Sequence, residues 1–318
     1  MPAVRPCAVT VRRCPSPFQL GAGAVRVKPA SFRYVAATSV DEALAAKARH
    51  GDDARFLAGG QSLIPAMNFR LAQPAVLIDL NPIPGLGEPA VEAGGALRIP
   101  ALVRHRTLAD GATVARHQPL VREAAREVAH PQIRNRGTLC GNLAHADPAS
   151  ELPAVMVALG ASMHLRSVRG ERRVAAQDFF RGIFATALEP DELLAAVTLP
   201  ALPPRTGTGF LEIARRHGDY PMMGVAAVVT LDAGGRCLHA ALVCCNAGET
   251  PRAASRASAV LREGRLDDAA IGAAAALVAG EIDPRGSVHA SPAYQRHLAT
   301  VLARRALQLA AQRAREAA

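Results

Sequence analysis

The sequence predicts an α+β fold divided into about two domains. Three observations carry this. The chain opens with alternating strand-like and helix-like segments, a Pro/Gly-rich break falls at residues 202–207, and two strand-like runs beyond it give way to an Ala- and Arg-rich helical remainder. The length of 318 residues also fits two domains of roughly 150 residues each.

Residues 1–26 hold Arg5, Arg12, Arg13 and several prolines, with no clean apolar stretch. A secretory signal fits them poorly. They read as a disordered or over-extended start, and periodic structure begins only after Lys28-Pro29. Arg33–Ala36 has the pattern of a short strand. Ser39 then opens a helix, with Glu42 three residues on completing a capping box, and Gly51 closes it. Residues 55–58 (Arg-Phe-Leu-Ala) read as a second strand, which Gly59-Gly60 breaks. A short helix is expected over 62–71, ended by Gln73-Pro74, and residues 75–80 (Ala-Val-Leu-Ile-Asp-Leu) read as a buried strand. The order is β-α-β-α-β.

Pro82, Pro84, Gly85, Gly87 and Pro89 mark a loop before a strand over 97–103. A helix over about 119–129 leads into a second glycine-containing segment. Residues 153–159 read as a helix, 162–168 with 172–175 as a hairpin, and 191–199 as a strand. The stretch Leu202-Pro203-Pro204-Arg205-Thr206-Gly207 is the expected boundary, giving domains of 27–205 and 206–318. Strands over 224–231 and 238–245 follow, joined by the turn Asp232-Ala233-Gly234-Gly235. From Arg252 the chain reads as helical.

Composition removes several function classes. The net charge of +10 is almost all arginine, because Lys28 and Lys47 are the only lysines. That charge is spread along the chain, and aromatics are 3 % with no Trp, whereas a nucleic-acid surface concentrates charge and interleaves aromatics. The longest apolar runs, such as 154–160 and 269–280, fall short of the ~20 residues of a spanning helix. Cys7, Cys14, Cys140, Cys237, Cys244 and Cys245 lack the clustered spacing that zinc or iron–sulfur ligation needs. They read as free thiols in a reducing cytoplasm, with no metal site.

Two segments carry chemistry. In Leu57-Ala58-Gly59-Gly60-Gln61-Ser62-Leu63-Ile64, two glycines at a strand-to-helix turn let backbone N–H groups approach a pyrophosphate, and the helix start favours the anion. Ser62 supplies a hydroxyl there or caps the helix. On its own this favours a plain strand–helix turn. The stretch from His130 to Pro148 is more informative, because it packs Gly, Thr, Asn and Asp into what reads as one long loop between helices, and such loops are functional or disordered. Thr and Asn suit hydrogen bonds to a nucleotide, Gly a close approach, and Asp a ribose hydroxyl.

Ala58-Gly59-Gly60-Gln61-Ser62-Leu63, followed by Ile133-Arg134-Asn135-x-Gly137-Thr138-Leu139-x-Gly141-Asn142-x-Ala144-x-Ala146-Asp147-Pro148, resembles the FAD-binding medium subunit of molybdenum hydroxylases, the carbon monoxide dehydrogenase and xanthine dehydrogenase relatives. Gly218-Asp219-Tyr220 matches a third motif of that family, and the resemblance covers roughly residues 27–310. It implies a two-lobed FAD-binding module and a smaller flavoprotein C-terminal domain with antiparallel sheet and helices. It implies that FAD meets Leu57, Ala58, Gly59, Gly60, Gln61, Ser62, Leu63 and Ile64 on the first loop. The second loop implicates Ile133, Thr138, Gly141, Asn142 and Asp147. Glu151 stands at an acidic cofactor contact, Leu194 at an aliphatic one and Tyr220 near the isoalloxazine ring; core packing is the plainer reading of Leu194 and an equal alternative for Tyr220. Two positions depart from the pattern. Cys140 replaces the first glycine of the usual pair, and Glu212 stands where the family often carries a lysine, so it stays outside the expected site.

The implied activity is that of an oxidoreductase subunit. FAD takes electrons from an iron–sulfur small subunit carrying 2Fe–2S clusters and passes them to an external acceptor, while a molybdenum large subunit carries the molybdenum cofactor and oxidises the substrate. Two alternatives are a self-sufficient flavin oxidoreductase and a nucleotide-binding module without a redox role. No G-x-G-x-x-G, P-loop, H-E-x-x-H or nucleophile elbow occurs, and no acid/base constellation for substrate chemistry is evident.

Overall fold

The computed structural model describes residues 28–317. The reading of residues 1–26 as a disordered or over-extended start therefore lies outside the described residues.

The first lobe is the predicted β-α-β-α-β unit: β1 (Arg33–Ala36), α1 (Val40–His50), β2 (Ala54–Leu57), α2 (Leu63–Asn68) and β3 (Val76–Asp79). Its three strands run parallel with β3 in the centre. Every residue of β3 is buried, which is why its sequence is an unbroken apolar run capped by Asp79. The Ser39 hydroxyl accepts from the Glu42 N–H at 3.1 Å, as a capping box requires, but the Glu42 carboxylate reaches Thr38 rather than Ser39. At the other end Gly51 takes φ +49, and the buried Lys47 ammonium donates to the carbonyls of Gly51 and Ala54.

The second lobe is a five-stranded antiparallel sheet with helices against it. In chain order come β4 (Ala90–Val91), β5 (Leu97–Pro100), α3 (His105–Asp110), α4 (Ala112–His117), α5 (Pro119–Glu127), α6 (Pro131–Arg134), α7 (Leu139–His145), α8 (Glu151–Ala158), β6 (Ser162–Ser167) and β7 (Gly170–Ala175). A short helix α9 (Ala176–Phe179), the small hairpin β8 (Phe180–Gly182) and β9 (Ala185–Thr186), and β10 (Leu193–Leu199) complete it. The sheet order is β4-β5-β10-β6-β7. The predicted hairpin is β6–β7. The long segment between helices is not one loop: it folds into α6 and α7, two short turns of helix, so most of its backbone polar groups are paired within it.

The chain then enters β11 (Thr206–Ile213), β12 (Met223–Leu231), β13 (Cys237–Cys245) and β14 (Arg252–Ala253), a four-stranded sheet. Helices α10 (Ser255–Ala259), α11 (Asp268–Val278) and α12 (Pro292–Glu316) close the fold. The proline-rich stretch is shorter than the sequence suggests, because Thr206 and Gly207 already belong to β11. All nine residues of β12 are buried. Val225, Ala227 and Val229 face α11 and α12 in one core, while Ala226 and Val228 face the second lobe in another. A strand covered on both faces shows no polar alternation, and its inner seam ties the third sheet to the lobe with α8.

Candidate functional site

Where the three parts meet, a cleft of about 590 Å³ opens. Its position follows from two close backbone approaches. The first is at the glycines. A Cβ on Gly59 would lie 2.3 Å from the Arg136 carbonyl oxygen and 2.7 Å from Gly137 Cα, so only glycine lets the turn after β2 touch the turn before α7. Gly60 needs its freedom for another reason, taking φ +73. Asn81, just past β3, donates from its side-chain amide to the Ala58 carbonyl at 3.0 Å, and Arg104 donates both to Asn81 Oδ1 and to the Arg136 carbonyl. One guanidinium thus clasps the two glycine segments together.

The second approach brings in the third sheet. Gly218, at φ +84, presses on Ala129, where a Cβ would meet the carbonyl oxygen at 2.6 Å. This sets Asp219 and Tyr220 on the far rim of the cleft. Arg134 on α6 donates to the carbonyls of Val128 and Ala129, fixing the chain that Gly218 packs against.

The structure collects nearly all the residues singled out from the sequence. Leu57, Ala58, Gly59, Gly60, Gln61, Ser62 and Leu63 line the cleft, as do Ile133, Thr138, Gly141, Asn142, Asp147, Glu151, Leu194 and Tyr220. Ile64 does not: its Cγ1 lies behind Gly60, supporting the turn from below. Ser62 makes no capping hydrogen bond to α2, so its hydroxyl is not used as a cap. Thr138 does cap α7, its hydroxyl accepting from the Gly141 N–H at 3.2 Å. Asn142 accepts from the Ser150 hydroxyl at 2.9 Å, and Asp147 accepts from the Ala149 N–H at 2.9 Å. Leu194 is buried in the wall, whereas Tyr220 is mostly exposed at the rim. His145 stacks at a tilt on Phe184, ring centres 4.9 Å apart.

The departures from the family pattern resolve differently. Cys140 turns its side chain into the core, 3 % exposed, and burial pushes its thiol up to about 12. One position along a helix is a rotation of about 100°, so Gly141 still presents bare backbone on the exposed side. Glu212, on β11, is a different matter. Burial pushes its carboxyl up to about 9, with the charges of Glu151 and Glu127 adding to the rise, and its Oε2 is buried without a partner. Burial likewise pushes Glu151, at the first position of α8, up to about 7.

Sequence reasoning missed three residues here. Asn81 and Arg104 sit in stretches with no motif, and their role depends on a contact between segments far apart in the chain. His105 is buried beneath Gly137, its ring within 3.1–3.2 Å of where a Cβ would stand, and burial pushes its imidazole down to about 4. Nothing local to Arg104-His105-Arg106 signals this. No group of His, Cys, Asp and Glu among the described residues could hold a metal ion.

Comparison with known proteins matches both parts of the chain. Residues 30–202 match the model of the FAD binding domain in molybdopterin dehydrogenase, and residues 209–310 match the CO dehydrogenase flavoprotein C-terminal domain. The chain is 41 % identical over 289 residues to the 6-hydroxypseudooxynicotine dehydrogenase complex subunit alpha of Paenarthrobacter nicotinovorans, covering 91 % of this chain and 97 % of that protein. It is 38 % identical over 287 residues to the carbon monoxide dehydrogenase medium chain of Afipia carboxidovorans, covering 90 % and 99 %. Among solved structures, quinoline 2-oxidoreductase from Pseudomonas putida superposes with a TM-score of 0.85 at 38 % identity, over 90 % of this chain and 99 % of that one.

Proposed function

The chain belongs to the FAD-binding medium subunits of molybdenum hydroxylases, and from that premise we propose that it seats FAD in this cleft and relays electrons through it. The observation that carries the proposal is the contact of Gly59 with Arg136 and Gly137. It joins the two nucleotide-suited segments into one wall of bare backbone that a single extended cofactor can span. A cleft of about 590 Å³ lies within the usual size of cofactor pockets, on the order of 300–1,000 Å³.

Gly59, Gly60 and Gly141 give the pyrophosphate a wall of bare backbone, which their close packing on Arg136, Ile64 with Leu57, and Thr138 holds in place, and Thr138 and Asn142 bring polar groups beside it. Asp147 offers an acceptor for a ribose hydroxyl. Leu194, Glu151 and Tyr220 surround the flavin end. When bound, FAD accepts electrons singly and passes them on in pairs, chemistry that side chains lack. The protein's part is to hold the cofactor, exclude water from it and leave one edge open at Tyr220.

We assign the source of electrons to an iron–sulfur small subunit and the oxidation of substrate to a molybdenum large subunit, as the family's division of labour implies. Residues 27–205 would then form the FAD module and 206–318 the flavoprotein C-terminal domain. Cys140, Cys237, Cys244 and Cys245 are free and buried, which supports a cytoplasmic setting. No helix among the described residues is long and apolar enough to cross a membrane.

Flavin absorbance of the purified chain tests the reading directly. One FAD per chain is expected, with dithionite-reduced protein passing electrons to artificial acceptors but oxidising no organic substrate. Gly60→Val, which forces a β-branched side chain into φ +73, should abolish FAD binding. Full FAD occupancy in that variant would remove the assignment of the first loop.

A further inference from the structure

The His105 imidazole is buried, and neither Nδ1 nor Nε2 has a hydrogen-bond partner. Other buried side-chain atoms in that state, among the described residues, belong to Gln118, Arg205, Glu212 and Arg252, and none of those four lines the cleft. His105 does. A neutral imidazole carries one N–H donor and one acceptor nitrogen, and leaving both buried and unmade is costly. Burial is what chiefly keeps the ring neutral; the Arg134 and Arg104 cations act in the same direction, and the nearby Thr138 backbone acts against them.

Packing does not explain the choice of residue. His105 supports the second glycine segment through its backbone, the N–H donating to the Gly137 carbonyl at 2.9 Å, and through its ring face against Gly137. A leucine in the same place would fill much the same volume and leave no orphaned atom. The ring's polarity therefore answers to something other than the protein's own contacts, and the cleft is where that something sits.

We propose that the ring N–H of neutral His105 is a buried donor to the pyrophosphate of bound FAD, so that the cofactor completes the clasp between the two glycine segments. The proposal rests on the FAD reading above. It makes His105 a cofactor-binding residue that no motif marks, and it gives two effects of opposite sign. Without FAD the imidazole is a liability; with FAD it is a contact.

The test uses the full-length chain, stripped of flavin and then titrated with FAD. His105→Leu should leave the melting temperature of the FAD-free chain unchanged or raised, while weakening the dissociation constant for FAD about tenfold, and His105→Gln should restore affinity to within roughly threefold. Wild-type affinity in His105→Leu overturns the proposal. So does a parallel fall in FAD-free melting temperature and FAD affinity with no rescue by glutamine, which would mark a packing role. Should the leucine variant fail to fold, nitrogen NMR of the wild-type histidines decides: FAD must shift one His105 ring nitrogen, and an unmoved pair overturns the idea. A wild-type chain that takes up no FAD would instead overturn the functional reading beneath it.

Discussion

The two ends of the cleft are built on opposite principles. At the glycine end, Gly59, Gly60, Gly137 and Gly141 present backbone, and the structure reaches its shape by leaving side chains out. Arg104 and Asn81 satisfy the carbonyls that this close approach exposes. At the carboxyl end, Glu151 lines the cleft and Glu212 lies behind it, outside the lining, where the charge of Glu151 adds to the burial that raises its carboxyl and its Oε2 has no partner. There the structure tolerates a cost that it sheds by holding protons. Geometry is rigid at one end and charge adjustable at the other, which suits a cofactor whose phosphates keep their charge while its ring system changes charge with redox state.

The sharpest way to break this comparison is to add one atom at the glycine end. In Gly59→Ala the new Cβ would stand 2.3 Å from the Arg136 carbonyl oxygen, and both partners are backbone, so neither can swing aside. We expect loss of FAD and destabilisation of about 3 kcal/mol, the upper range of overpacking. Urea unfolding together with flavin content reads both. A variant with wild-type stability and flavin would mean that the two segments part easily, and the glycine end would no longer be the rigid one.

At the carboxyl end the informative change removes a charge and keeps the shape. A carboxyl held at about 9 in the fold, against an ordinary value of 4.5, favours the fold in its protonated form. Its contribution is fully present below about pH 4.5 and is lost as pH rises through about 9. Stability should therefore decline from pH 5 to pH 9. Glu212→Gln, neutral throughout, should flatten that slope and stand above wild type by about 1–3 kcal/mol at pH 9, the usual cost of an uncompensated buried polar group. Urea midpoints at the two pH values check it; an equal difference at both would place the Glu212 carboxyl in water.

These two ends were not equally legible in the sequence. Glycines at a strand–helix turn announce themselves, and so do the Ser39 cap and the apolar run of β3, because each signal is local. At the carboxyl end the family resemblance marks Glu151 and Glu212 but no local signal shows their burial, since that of Glu212 arises only when β11 pairs with β12 and packs beside α5. His105, Asn81 and Arg104 escaped for the same reason. The strand β11 was hidden by its own solution to a packing problem. Gly207 makes the stretch look like linker, yet a Cβ there would stand 1.9 Å from the Ala310 carbonyl oxygen, so glycine is what lets α12 lie across the strand. The segment before Asp147 misled in the other direction: Gly, Asn and Thr suggested a loop, whereas a threonine cap opens the seven-residue helix α7.

The smallest predicted effect sharpens the comparison most finely, because it alters a side chain at the end said to be built of backbone. Thr138 caps α7 by accepting from the Gly141 N–H, and a Cβ on Gly141 would meet that same hydroxyl at 2.7 Å. The cap and the glycine are thus one device: the hydroxyl holds the N–H in place, and the missing Cβ leaves room for it. Thr138→Ala forfeits the cap at a cost of about 1 kcal/mol, and Thr138→Ser, which keeps the oxygen, should stay within a few tenths of wild type. Calorimetry on the FAD-free chain separates the three proteins. If Thr138→Ala cost as much as Gly59→Ala, side chains rather than bare backbone would hold the glycine end together, and the contrast between the two ends would fail.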